Sequence, residues 1–440
     1  MSSRIALTIV FIVAAGLCQA QELPSHSQIN YEVAQDLSAA DLLPAELLRG
    51  EYHVVDDRVR NDGYLNYYTI QSDFGEFEAV STASLRMRIR EIEALGELDE
   101  LSQTEVFVTA MGNAGVQKIV SVTKLVAHPI TAVKGMPSGI GRLFKSYSQK
   151  TKRALGAMTP TDNTPAETAS EEEQDAAQAA MLTDRYYGIT DAERKWSMKL
   201  KVDPYTSNEV LREAIQSVAR VDAIGNATVV IAGGALIPYV SYVGYVGQVS
   251  DAIWGEDPFA LRASNEAALL EAGADEDLVE KYLDRPWMSP SQQTLITSAI
   301  TALEGVEGAT DILVQALHPK EEVEVHYLVR AVTLLAWYHR NRQPFVSIST
   351  ELAIPGGITA NGKSVLLFPS DHVYWTEPMA DAAIEYHSVG SVQEDGAHEV
   401  WIIGTTSDRT AQELLALEYD LHTDFSEMVV PVSNGPVAEK

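Results

Sequence analysis

Residues 357–364 read GITANGKS and satisfy the phosphate-loop pattern G-x-x-x-x-G-K-[ST] through Gly357, Gly362, Lys363 and Ser364. Such a loop binds phosphate because a strand feeds a glycine-rich turn that opens a helix. Backbone N–H groups at the helix start cradle the anion, and the lysine reaches the outer phosphates. Here the helix is missing from the sequence. VLLFP follows Ser364, closed by Pro369, and SDHVYWT then alternates like a strand. Asn361-Gly362 is also the preferred pair for a two-residue type I′ hairpin turn. The expected arrangement is strand, turn, strand, with no nucleotide and no cofactor bound.

The next residues able to do chemistry are Asp371, His372 and Glu377, beside Tyr374 and Trp375. They combine an acid–base pair with aromatic surface at a strand end, where ligand-binding residues gather. If the chain is an enzyme, a hydrolase or small-ligand site belongs here. Otherwise Val373 and Trp375 pack inward and the charges face water. The run Glu322-x-Glu324-x-His326 would gather metal ligands only if extended, since in a helix the side chains diverge. HExxH, G-x-S-x-G and EF-hand loops are absent, so no metal site is expected.

Charge provides the third clue. The chain carries a formal charge of −30, which disfavours nucleic acid as a partner. Yet Val106–Pro160 contains no Asp or Glu, while Lys118, Lys124, Lys134, Arg142, Lys145, Lys150, Lys152 and Arg153 all fall inside it. Within KGMPSGIGRLFKSYSQKTKR, Ile140, Leu143, Phe144 and Tyr147 share one helical face. Arg142, Lys145, Lys150, Lys152 and Arg153 lie on the others. A basic amphipathic helix with a Phe-Leu face suits a membrane interface. The two partners to weigh are an anionic membrane surface and the protein's own acidic domains.

The start of the chain, MSSRIALTIVFIVAAGLCQA, sets the context. Arg4 precedes an apolar run, and Cys18 and Ala20 sit at positions −3 and −1 of a cut after Ala20. This is the layout of a secretory signal peptide. Leu17 stands where a lipoprotein site wants a small residue. Cys18 is the only cysteine, so a chain cut after Ala20 has neither thiol catalysis nor disulfides to draw on.

The elements that must carry these residues can be read from periodicity. Aromatic and β-branched residues between turns at Glu51–Ser81 predict a three-stranded meander. Leu85, Ile89, Ile92 and Leu95 predict an amphipathic helix after it. Thr206-x-x-Glu209, Ser289-Pro290-x-Gln292 and Asp257-Pro258 mark helix starts, and Gly273 marks a stop. HEVWIIGT at 398–405 reads as a buried strand, followed by a helix from Thr410 to about Leu421. The charge-free stretch 227–249 has the length of a membrane helix, but Gly233-Gly234 and Pro238 weaken the span, so a buried helical hairpin is expected ahead of a membrane-inserted segment.

The expected fold class is α+β, mainly helical: an N-terminal β-meander plus helices, a central helical domain and a small C-terminal α/β module. The expected order is a signal peptide at 1–20, an N-terminal α+β module at 21–105 and the basic amphipathic segment at 106–157. An acidic flexible linker at 158–182 comes next, then a helical domain at 183–318 with the apolar hairpin 227–249. A C-terminal α/β module at 319–430 and a tail at 431–440 complete the chain. The leading expectation is a non-enzymatic periplasmic or secreted envelope protein, attached peripherally to the membrane through residues 116–153. A secreted hydrolase or small-ligand-binding enzyme, with its site in the C-terminal module near Asp371 and His372, is the alternative. Intact-mass analysis of exported protein should find a chain that starts at Gln21 and contains no thiol; retention of residues 1–20 would remove the argument for export.

Overall fold

The computed structural model of the chain describes residues 31–104, 140, 186–225, 248–350, 352–390 and 398–425. In the N-terminal region five short strands form one antiparallel sheet. They are β1 (Leu37–Ser38), β2 (His53–Val55), β3 (Arg58–Asn61), β4 (Asn66–Ser72) and β5 (Gly75–Val80), with short helices α1 (Ala39–Leu42) and α2 (Ala45–Leu48) after β1. The expected meander is present, but its first strand is split. β2 and β3 pair with successive parts of β4, as in Val55↔Ile70 and Arg60↔Tyr67. Asp57 lies between them, its carboxylate accepting from Ser38 Oγ (2.8 Å) and its carbonyl from the Ala39 N–H (2.7 Å). That contact ties β1 onto the edge and interrupts the ladder.

Period two puts Tyr68 and Ile70 of β4 and Phe77 and Ala79 of β5 on the inner face, all buried. Helix α3 (Thr82–Ser102) covers that face with Leu85, Ile89, Ile92 and Leu95. The same apolar cluster takes in Trp196 and Leu200 of α4 (Asp191–Leu200) and Leu211, Ile215 and Val218 of α5 (Glu209–Gly225). Fully burying one such side chain stabilises by roughly 1.5–3 kcal/mol, so this row is what holds α3 to the sheet.

A second cluster is built from α6 (Gln248–Gly255), α7 (Pro258–Glu271), α8 (Glu276–Leu283), α9 (Pro290–Thr301), α10 (Ile312–Ala316) and α11 (Glu322–Asn341). Caps start and stop these helices as the sequence indicates. Asp257 accepts from the N–H groups of Phe259 and Ala260, both at 2.9 Å. Ser289 and Gln292 close a capping box. Gly273, at φ +86°, ends α7 in a Schellman turn, the Ala274 N–H reaching Leu269 O at 3.0 Å. The start of α5 is different. Asn208, not Thr206, caps it, accepting from the Leu211 N–H at 3.2 Å. Thr206 instead donates its hydroxyl to the buried Glu91 of α3, which also accepts from Asn208 Nδ2 (3.1 Å) and pairs with Arg88 (2.5 Å).

Helix α11 is buried at nearly every position from Val323 to Tyr338. A helix apolar on all sides belongs at the centre of a fold, and this one packs against the second sheet. That sheet is reached through β6 (Phe345–Ser349), β7 (Gly356–Thr359), β8 (Ser364–Phe368), β9 (His372–Val373) and α12 (Glu377–Gly390). The chain continues through β10 (His398–Ile402), β11 (Thr405–Thr406), α13 (Asp408–Ala416) and β12 (Tyr419–Thr423). The strand order is β12-β10-β8-β7-β6, with β8, β10 and β12 parallel and β7 antiparallel to both its neighbours. Helices α12 and α13 make the crossovers, and β9 pairs in parallel with β11 apart from the main sheet. The chain is therefore a mixed α+β fold with more helix than strand among the described residues. The last helix starts earlier than Thr410, because Ser407 is its cap, and ends at Ala416. Glu418 then takes φ +62° and turns the chain into β12.

In α11 the Glu322-Glu324-His326 run is helical. Glu324 does diverge, but Glu322 and His326 stand one turn apart and meet, Nε2 to Oε1 at 3.3 Å. This i, i+4 neighbourhood corrects the expectation that all three side chains separate. Ser207 also donates to Glu322 at 2.6 Å. Partial burial pushes the Glu322 carboxyl up, yet the His326 and Ser207 hydrogen bonds and the Arg88 charge outweigh it and hold it at about 2. A depressed folded value means that Glu322 contributes stability above its ordinary value of 4.5 and loses it as the pH falls toward 2. Its side chain is 53% exposed, so the contribution should stay below about 1 kcal/mol. Urea unfolding of the wild type and Glu322→Gln should differ by that amount at pH 7, and the difference should shrink below pH 4.5 and vanish only at about pH 2. A difference independent of pH would contradict the pairing.

Candidate functional site

The segment Ser370–Thr376 lies where the two halves of the fold meet. Its neighbour is the turn between β3 and β4, which the sequence stiffens internally. Asn61 Oδ1 accepts from the Gly63 N–H at 2.6 Å, and Asp62 accepts from the N–H groups of Tyr64 (3.0 Å) and Leu65 (2.8 Å). Held in this way, the turn offers carbonyls to the segment opposite. Gly63 O accepts from the Tyr374 N–H and Tyr64 O from the Asp371 N–H, each at 3.0 Å. Asn61 Nδ2 donates to His372 O at 3.1 Å. Gly63, at φ +105°, could not carry an ordinary side chain without strain.

Asp371 and His372 are not brought together. Successive residues of an extended chain point to opposite sides, and these two do so. The Asp371 carboxylate accepts from the Asn66 N–H through Oδ2 and from the Thr82 N–H through Oδ1, both at 3.0 Å. Thr82 is the first residue of α3, so this carboxylate sits at the positive end of a 21-residue helix. Burial pushes its carboxyl up, against the Arg330 charge and the backbone donors. His372 turns the other way. Its Nδ1 is 2.7 Å from Thr405 Oγ1, its ring packs edge-on against Tyr374 at 4.7 Å, and burial lowers its pKa. Trp375 is buried, and its backbone N–H donates to Glu32 at 2.7 Å, a carboxylate that also accepts from Ser407 at 2.5 Å. Glu377 is exposed at the start of α12. The Asp371 carboxylate therefore serves as a structural joint between the N-terminal sheet, α3 and the C-terminal module.

GITANGKS forms the hairpin between β7 and β8. Its pairing runs Gly356↔Leu366, Gly357↔Val365 and Ile358↔Ser364. The turn is not type I′. The Gly362 N–H bonds to Thr359 O, and the Thr359 N–H to Lys363 O, both at 2.9 Å, which leaves a three-residue loop. Gly362 has φ +79°, whereas Asn361 is not among the residues with positive φ. A tight turn closed by a left-handed glycine gives the commonest three-residue hairpin. Ser364 lies within β8, its hydroxyl 2.6 Å from Tyr386 OH, so no helix opens there to hold a phosphate.

Lys363 points instead to Glu399 of β10 and forms an ion pair with it. Glu399 is buried and also accepts from Tyr338 OH (2.9 Å) and Trp401 Nε1 (3.1 Å). On the neighbouring strand, Asp420 and His422 lie opposite Glu399 and Trp401. Glu399, Asp420 and His422 thus place carboxylate and imidazole donors on one patch of the sheet. Sequence reasoning missed this group, because Glu399 and the pair Asp420 and His422, 21 and 23 positions on, become neighbours only through strand pairing. The one signal available was strand alternation in HEVWI and YDLHT, which puts each pair on one face.

The membrane-contact candidates Arg142, Leu143, Phe144, Lys145, Tyr147, Lys150, Lys152 and Arg153 lie outside the described residues, as do residues 1–20 and 226–247. Ile140, at the head of the same apolar row, is described and fully buried. No described helix is long and apolar enough to cross a membrane. Set against known protein families, curated proteins and solved structures, the chain matches none of them.

Replacing Asp371 by Asn removes one acceptor oxygen and turns an amide N–H toward a backbone donor. Asp371→Asn should lower the unfolding free energy by about 1–3 kcal/mol, measured by denaturant titration. His372→Ala should cost less, because the hydroxyl that faces it can turn to water. The reverse order would show that Asp371 is not the joint.

Proposed function

We propose that the protein is an exported, non-enzymatic envelope protein, held peripherally on an anionic membrane surface by its basic segment 116–153. The observation that carries this reading is the separation of charge. A chain of formal charge −30 keeps a 55-residue stretch, 106–160, free of Asp and Glu and places eight cations in it. Each cation near an anionic surface contributes about 1 kcal/mol, so Arg142, Lys145, Lys150, Lys152 and Arg153 together can supply several. The acidic remainder of the chain opposes this only weakly, since charges more than about 8 Å away are screened at physiological salt. Leu143 and Phe144 would add about 1.5–3 kcal/mol for each side chain fully buried among acyl chains.

The described part of the fold supports a non-catalytic reading. Three well-placed carboxylates, the buried Glu91 and Glu399 and the part-buried Asp371, are bonded to backbone N–H groups, to hydroxyl, amide or indole donors, or to cations that hold elements together. A hydrolase centred on Asp371 and His372 is correspondingly disfavoured. One observation favours a second reading. Ile140 is buried, which fits a segment strapped onto the protein's own acidic domains.

Co-sedimentation of mature protein with vesicles separates the two. Peripheral attachment predicts binding to vesicles that contain anionic lipid, much weaker binding to neutral ones, and a decline as salt rises. Reversing Arg142, Lys145 and Lys150 to Glu should abolish the salt-sensitive part. Changing Leu143 and Phe144 to Ser should remove what survives high salt. Wild-type protein that ignores both kinds of vesicle, together with a lower melting temperature on charge reversal, would overturn the membrane reading in favour of the internal strap.

A further inference from the structure

We propose that Glu399, Asp420 and His422 form a binding site for a divalent transition-metal ion of the zinc type, with Lys363 as a resident competitor for the Glu399 carboxylate. Strands β10 and β12 run parallel in the register Glu399↔Asp420 and Trp401↔His422. Residues two apart on a strand share a face, so this pairing brings the three donor side chains together. One ligand atom from each lies within 4.8 Å of the other two. His422 Nε2 and Asp420 Oδ1 stand 3.5 Å apart. Metal bonds of about 2.1 Å at the tetrahedral angle separate neighbouring donors by about 3.4 Å, so the observed spacing is that of a coordination edge.

Two independent features point to a ligand. His422 Nε2 is itself shut off from solvent and makes no hydrogen bond, meeting only the Asp420 carboxylate at 3.5 Å, while the side chain as a whole is 35% exposed. The ring is also held in place, stacked on Trp401 at 4.1 Å with 21° between the planes. Glu399 is oriented in the same manner, since Tyr338 OH and Trp401 Nε1 both donate to its Oε2. Its other oxygen, Oε1, is taken by the Lys363 ammonium. Hydrogen bonds from outside the coordination shell that fix ligand oxygens and rings are the usual support of a metal site. Two carboxylates balance a divalent charge, and the imidazole selects zinc and its neighbours over magnesium or calcium, which take oxygen donors.

Lys363 makes the proposal sharply testable, because an ion that takes Glu399 Oε1 must displace the ammonium. Zinc alone is titrated into full-length mature protein by calorimetry at physiological salt, with magnesium as the comparison. The expected result is one saturable zinc site, much weaker magnesium binding, and an unfolding midpoint that rises with zinc. His422→Gln should weaken zinc binding by about tenfold or more, and Lys363→Met should tighten it. The unfolding midpoint of each variant without zinc shows whether it is folded, and should Lys363→Met fail to fold, His422→Gln decides alone. No saturable zinc binding by the wild type, or binding unchanged in His422→Gln, would overturn the site. Unchanged or weaker binding in a folded Lys363→Met would overturn the competition.

Discussion

The fold depends most on one carboxylate. Asp371 extends from the C-terminal module and accepts two backbone N–H groups, one at the start of β4 and one at the start of α3. A hydrogen bond to a charged group contributes roughly 1.5–3 kcal/mol, and a carboxylate at a helix N-terminus gains up to about 2 kcal/mol more in a partly buried site. The turn between β3 and β4 can reach this segment only because Asn61 and Asp62 fold it back on itself first. The loops of one half thus become the hydrogen-bond partners of the other. Catalytic chemistry at Asp371 would require breaking this joint.

The same economy recurs at Glu91. An acid inside α3 accepts from Thr206 and Asn208 and pairs with Arg88. In doing so it orders the loop before α5, whose Leu211 and Ile215 complete the first core. A buried charge without partners would be destabilising by several kcal/mol, so each such acid has to be surrounded by donors. The strong negative balance of the chain is compatible with a dense interior for this reason. Its buried acids are used as ties between elements.

Helix α11 plays the corresponding role for the second core. It is apolar on almost every side, and its far end presents Trp337 and Tyr338 to the sheet. Trp337 stacks with Phe425, and Tyr338 stacks with Phe345 and meets Trp401 edge-on. Aromatic pairs in these arrangements add about 0.5–1.5 kcal/mol beyond the surface they bury. They also hold Trp401 rigid, and through it the orientation of Glu399 and His422. Packing and polar arrangement on this face are therefore one structure, in which the core fixes the orientation of these side chains.

The sequence alone determined most of what is local. Period two placed Tyr68, Ile70, Phe77 and Ala79 inward, and period 3.6 placed Leu85, Ile89, Ile92 and Leu95 against them. Caps at Asp257 and Ser289, the stop at Gly273 and the hairpin at Asn361-Gly362 were all legible, because each depends on residues a few positions apart. Even local signals failed where a tertiary partner competed for the same group. Thr206 resembled a cap, but its hydroxyl goes to Glu91, and the first strand of the expected meander is split into β2 and β3 around Asp57. What only the tertiary structure decided was which chemical groups meet. Asp371 and His372 are adjacent in sequence and face apart, whereas Lys363, Glu399, Asp420 and His422 are scattered and face together. Adjacent side chains of an extended chain point to opposite sides, while parallel pairing aligns residues from distant stretches. A chemical site on a sheet is therefore invisible until the strand order is known.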